Sequence, residues 1–142
     1  MPPAVPKLEV RHIPKDGEAM SKVVWFDIPV SDMSRAIAFY NALTGEELLR
    51  LPVGPDRETA LFPGDGDGGS SGCLFSAPED QPSHYGSRVY FDANPSIDAW
   101  IERAELAGGR VLVGRTPAGG DNGYFAYVED SEGNRIGLNA RD

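Results

Sequence analysis

The stretch Trp25-Phe26-Asp27-Ile28-Pro29-Val30-Ser31-Asp32-Met33-Ser34-Arg35-Ala36-Ile37-Ala38-Phe39-Tyr40 changes its periodicity halfway along, and that change decides the fold. Up to Val30 the apolar residues alternate: Val24, Phe26, Ile28 and Val30 fall on one strand face, Trp25, Asp27 and Pro29 on the other. After Ser31 or Asp32, either of which can cap a helix, Met33, Ala36, Ile37, Tyr40 and Leu43 recur at three- and four-residue spacing as far as Thr44-Gly45. A strand therefore feeds a helix. Three short strand candidates follow, Glu47 to Val53, Glu58 to Phe62 and Ser71 to Ala77, separated by Gly54-Pro55-Asp56 and Gly64-Asp65-Gly66-Asp67-Gly68-Gly69. The first half reads βαβββ.

The second half reads the same way. Arg88 to Ala93 is a strand, and Asn94-Pro95 offers an N-cap with proline at the first helical position. A helix bearing Ile97, Trp100, Ile101 and Ala104 then runs to Gly108-Gly109. Arg110 to Val113, Tyr124 to Val128 and Arg135 to Asn139 complete three strands. Val24-Trp25-Phe26-Asp27 is echoed by Val89-Tyr90-Phe91-Asp92 at an offset of 65. The echo and the repeated order of elements indicate a tandem duplication: an α+β fold of two βαβββ modules, 21–80 and 85–142. A four-stranded sheet with one helix on one face leaves its other face uncovered. Two modules side by side form an incomplete barrel with a concave cleft. Residues 1–20, rich in proline and charge, read as an arm in which Leu8 to Ile13 either adds an edge strand or stays disordered.

The bulk properties narrow the partners. With 142 residues and 40% hydrophobic content the chain supports one continuous core. A net charge of -9 repels nucleic acid and anionic membrane surfaces. No stretch reaches the roughly 20 apolar residues of a membrane span, and no apolar signal region stands at the N-terminus, so the cytoplasm is the expected location. A single cysteine, Cys73 in an apolar run, reads as core filler rather than a reactive thiol.

The segment quoted first resembles the opening of modules in the vicinal-oxygen-chelate superfamily, where a strand, an aspartate and an R-A-x-x-F-Y helix recur. That family includes glyoxalase I, bleomycin-resistance proteins and extradiol dioxygenases. Gly123 to Leu138, containing Asp130-Ser131-Glu132-Gly133-Asn134, is similar to its final hairpin, with Ser131 where the family's turn carries proline. Ala107-Gly108-Gly109-Arg110-Val111 is similar to its link out of the second helix. The resemblance covers roughly Lys22 to Ala140. It implies a concave cleft for a small molecule, and a homodimer.

In metal-dependent relatives, His, Glu or Gln side chains from the first and last strands of the modules hold a divalent ion that binds vicinal oxygens of the substrate. Carried over by position, the first of these falls on Trp25, the second-module ligand on Arg88 or Tyr90, and the final glutamate on Gly137. The strand from Ser71 to Ala77 supplies no histidine or acid for the fourth. The chain's two histidines, His12 and His84, lie outside these strands. The resemblance thus leads to a cleft without the usual metal site and without a cofactor. Ligand contacts are expected from Trp25, Asp27, Tyr90 and Asp92, with Tyr124 and Tyr127 adding aromatic area or only packing the core. Asp27 and Asp92, set across from each other by the repeat, suit an acid/base pair, part of a hard oxygen site, or simply wet strand ends. The alternative is an enzyme, a lyase, isomerase or dioxygenase using an atypical ion held partly by Asp27. A third is a structural or regulatory protein whose cleft is filled by side chains. Gly64 to Gly69 lacks the strand-to-helix setting of a phosphate loop and reads as a flap over the cleft.

Overall fold

The computed structural model describes residues 23–64 and 71–142, so the N-terminal arm and most of the proposed flap lie outside the described residues. The elements run β1 (Phe26–Pro29), α1 (Met33–Thr44), β2 (Leu49–Gly54), β3 (Arg57–Leu61), β4 (Gly72–Ser76), β5 (Tyr90–Asp92), α2 (Ile97–Leu106), β6 (Arg110–Pro117), β7 (Tyr124–Glu129) and β8 (Arg135–Ala140). They form two open four-stranded sheets of order β1-β4-β3-β2 and β5-β8-β7-β6, each with one parallel pair, β1 with β4 and β5 with β8. This is the tandem βαβββ architecture anticipated from the periodicity.

Both helices start on side-chain caps. Asp32 accepts from the Arg35 amide at the head of α1, and Gly45, at φ 74°, closes its other end by donating to Asn41 O. In α2 the cap is Ser96, which accepts from Ala99 N, and not Asn94 as the Asn-Pro pair suggests. The Asn94–Pro95 peptide is cis. Asn94 is used elsewhere: its Nδ2 donates to Asp92 Oδ1, and its Oδ1 accepts from Arg141 N, tying the end of β5 to the C-terminal residues. β6 runs on to Pro117, four residues past the point where alternation stops, because register shifts after Val111 and Val113 interrupt the period without ending the pairing.

One core serves both modules. Ile28 and Val30 of β1, Phe39, Tyr40 and Leu43 of α1, Leu74 of β4, Ile97 and Ala104 of α2, and Val128, Ile136 and Leu138 of the second sheet are all buried. Each large apolar side chain contributes about 1.5–3 kcal/mol. The echoed residues Phe26 and Phe91 meet edge to face at 6.3 Å between ring centroids, and Tyr40 and Phe62 pack on Phe91 at 5.8 and 5.6 Å. α1 and α2 also touch. The helices therefore cover one face of each sheet and leave the other face open.

The Asp130–Asn134 turn does more than reverse the chain between β7 and β8. Asp130, buried, accepts from Tyr40 OH at 2.6 Å, from Asn134 Nδ2 at 2.9 Å, and from the Glu132 and Asn134 amides at 2.8 Å. Burial pushes its carboxyl above the ordinary range despite these donors. Asn134 Nδ2 also donates to Pro29 O at 2.7 Å. Glu132, its side chain wholly buried, reaches the head of α1, where it accepts from the Ser31 and Asp32 amides at 3.0 and 2.7 Å and from Arg35 Nε at 2.6 Å. Burial opposes ionisation there, but Arg35 and the helix-end amides outweigh it and hold the carboxyl down to about 2. Arg35 and Tyr40 of the R-A-x-x-F-Y helix are thus the partners of the D-S-E-G-N turn. The two motifs form one joint between modules.

Candidate functional site

In the second module the open face is built around Gly137. Tyr90 of β5 and Tyr127 of β7 both stand opposite Gly137 in register, one on each side of β8. With no side chain at 137, the Tyr90 ring leans into the gap; a Cβ there would stand 2.4 Å from Tyr90 Cδ1 and 2.8 Å from Cγ. The two hydroxyls meet at 2.9 Å and the ring centroids at 6.0 Å, while Phe125 lies 5.2 Å from Tyr127. Tyr90 remains about half exposed.

Two arginines frame this pair. Arg88, two residues before Tyr90 and on the same face, has its guanidinium carbon 4.1 Å from the Tyr127 centroid and donates to Tyr90 OH at 3.4 Å. Arg135, two residues before Gly137, lies 5.9 Å from the same centroid. The Nε–H of each is buried without an acceptor. An unpartnered buried donor costs about 1–3 kcal/mol. A hydrogen bond from Tyr127 brings the Tyr90 phenol below the ordinary tyrosine range, aided by Arg88 and Arg135, and the same bond raises Tyr127. Glu129, opposite Arg135, is already engaged by His84 Nε2 at 2.5 Å and Arg110 at 3.1 Å. Burial disfavours the charged Glu129, yet these two partners keep its carboxyl below the usual range.

The first module's open face differs. Trp25, 43% exposed, donates from Nε1 to Asp27 Oδ1 at 2.9 Å, and the buried Cys73 thiol donates to the same oxygen at 3.1 Å. Burial pushes that thiol up to about 11, which leaves it inert as a nucleophile near neutral pH. Leu49 and Leu51 of β2, opposite Leu61 and Thr59 of β3, are exposed on this face with Val53.

Of the four residues expected to contact ligand, Asp27 lines a recess of about 240 Å³ between the modules with Pro29, Ser83, Tyr85 and Arg135. Tyr90 and Asp92 line a polar one of about 490 Å³ with Asn94, Asp121, Asn139 and Arg141. They also border a third, of about 350 Å³, with Phe26, Phe62 and Trp100. Asp92 is anchored by the Asn94 amide at 2.9 Å. Among the described residues, Trp25 and Asp27 stand in one group and Tyr90 and Asp92 in another. Tyr124 packs against the core under Arg115. His84 is engaged by Glu129 in the second module. Arg88, Tyr127 and Arg135 were not singled out as a group from sequence, although period-two spacing from Tyr90 and Gly137 already put both arginines on the open face.

The positions to which the resemblance carries metal ligands hold Trp25, Arg88 or Tyr90, and Gly137, and the Tyr90 ring occupies the place of a side chain at 137. These donors do not suit a divalent ion. No group of three or more His, Cys, Asp or Glu residues stands together among the described residues.

A family model described as the Glyoxalase/Bleomycin resistance protein/Dioxygenase superfamily matches residues 22–138, and the chain belongs to that family. Glyoxalase I from Zea mays has a similar fold, with TM-score 0.65 at 24% identity over 83% of this chain and 45% of that one. The chain thus spans less than half the length of the maize enzyme. A glyoxalase/bleomycin resistance protein/dioxygenase family enzyme from Burkholderia phytofirmans PsJN matches with TM-score 0.61 at 16% identity, over 86% of this chain and 100% of that one. TnmS3, an antibiotic binding protein from Streptomyces sp. CB03234, matches with TM-score 0.55 at 26% identity, over 88% and 99%. No curated protein sequence matches the chain. No helix among the described residues is long and apolar enough to cross a membrane.

Proposed function

We propose that the protein binds a small, flat organic molecule on the open sheet face of its second module, without the metal site of its catalytic relatives. The observation that carries this reading is the Tyr90–Tyr127 pair over Gly137. It puts aromatic surface where metal chemistry needs a carboxylate, and the half-exposed Tyr90 ring beside cations suits stacking on a planar ligand. The likeness to TnmS3, an antibiotic binding protein, is in keeping with it. The reading includes a homodimer, in which Leu49, Leu51 and Val53 of the first module are covered by a second copy.

Elemental analysis and calorimetry test it together. Purified protein carries no stoichiometric divalent ion, and 2-naphthoate or 2-naphthamide binds saturably, about tenfold more weakly to Tyr90→Ala. A tightly held stoichiometric ion, or no saturable binding of either compound, overturns the proposal. The first result favours the lyase, isomerase or dioxygenase reading in which Asp27 contributes to an atypical ion site.

A further inference from the structure

The geometry points to an anion-binding subsite made by Arg88 and Arg135, side by side next to Tyr127, so that the ligand of this face is a planar aromatic anion. The inference rests on the aromatic-face reading above and adds the charge of what binds there.

The argument begins with an imbalance. The chain has 22 acidic and 13 basic residues, so carboxylates outnumber their partners. Five arginines take them up: Arg35 with Glu132, Arg50 with Glu58, Arg57 with Glu79, Arg110 with Glu129 and Arg115 with Asp98. Arg88, Arg103, Arg135 and Arg141 have no carboxylate among the described residues, and of these only Arg88 and Arg135 keep a buried Nε–H without an acceptor. Chain position does not explain this, since Arg135 faces Glu129 in register and shares a recess with Asp27. Glu129 is held by His84 and Arg110, and Asp27 Oδ1 by Trp25 and Cys73.

The unmet capacity converges. Both guanidiniums lie near one ring, at 4.1 and 5.9 Å from its centroid, and both keep a buried Nε–H without an acceptor. Guanidinium planes present paired N–H groups that match a carboxylate, sulfonate or phosphate in two-point contact. The half-exposed Tyr90 supplies the platform for the ring that carries the anion. A neutral carboxamide of the same shape offers one acceptor oxygen and no charge to match the two guanidiniums.

Calorimetry with 2-naphthoate and 2-naphthamide, equal in ring and shape and different in charge, separates the readings. The naphthoate binds about 10- to 100-fold more tightly than the amide, and its affinity alone falls as salt is raised. Arg88→Gln and Arg135→Gln each weaken naphthoate more than they weaken the amide, so that the two affinities draw together. Arg88→Lys, which keeps the charge and loses the planar fork, falls between. Thermal unfolding confirms that each variant is folded, and no ion pair is lost in either. Saturable binding of both compounds with equal affinity, or arginine variants that bind naphthoate as the parent does, overturns the anion subsite and leaves the aromatic face standing. If neither compound binds, the aromatic face falls and the subsite with it.

Discussion

The two modules repeat one backbone order and one core-facing pattern, yet their open faces have little in common. The first presents Trp25 and Asp27 at its β1 edge and the aliphatic Leu49, Leu51 and Val53 at its β2 edge. The second presents Tyr90, Tyr127 and Phe125 beside two guanidiniums that have no carboxylate partner among the described residues. Core-facing residues answer to the same packing problem in both halves, and so Phe26 and Phe91 are the same residue type and touch. Open-face residues are free of that constraint. Where duplicated modules share one core, divergence collects on the surface that does not pack, and there a ligand face and an association face can separate.

That comparison treats the two faces as parts of one cooperative body, and the largest expected effect bears on this. Asp130→Ala leaves Tyr40 OH, Asn134 and two amides without their acceptor and is expected to lower stability by about 3–5 kcal/mol. Denaturant unfolding followed by Trp25 alone (in W100F) and by Trp100 alone (in W25F) is expected to give one midpoint. Separate midpoints would break the comparison into two domains. Glu132→Gln is expected to cost about 1–3 kcal/mol at neutral pH. Its sign with pH follows from the carboxyl sitting at about 2 when folded against an ordinary 4.5. A depressed value stabilises the fold above the ordinary one, and the gain disappears as pH falls through the interval between them. The gap between parent and variant in urea unfolding therefore shrinks across that interval; a gap constant into acid would mean the charge is not what joins the modules. The smallest effect on stability is expected from Leu49→Ser with Leu51→Ser, about 0.5 kcal/mol or less because both residues are exposed. Sedimentation of this variant shifts towards monomer while naphthoate affinity holds. Loss of naphthoate binding would show that the first face is not separate from the ligand site.

Much of the fold was legible because it rests on periodicity. Alternation up to Val30 and helical spacing from Met33 to Leu43 place β1 and α1, and the Phe26/Phe91 echo announced the second module. The errors came where a local signal was overridden. Asn94-Pro95 resembles a helix start, but Asn94 is drawn to Asp92 and Arg141 and Ser96 takes the cap. Bulges carried β6 beyond its apparent end. The site was less legible, since it depends on which strands become neighbours. β8 separates Tyr90 from Tyr127, and only the register that puts both opposite Gly137 shows that they touch. The D-S-E-G-N segment likewise reads as a turn until Tyr40 and Arg35, ninety or more residues away, are seen to bind it.

The gap at Gly137 also constrains which substitutions this chain tolerates. A carboxylate at 137 meets the Tyr90 ring near its root, so it requires Tyr90 to leave first; replacing Tyr90 first leaves Tyr127 without its hydroxyl partner. The glycine and the tyrosine are mutually permissive: a side chain at 137 fits only once the ring at 90 has been exchanged for something smaller, so the two positions can change only together.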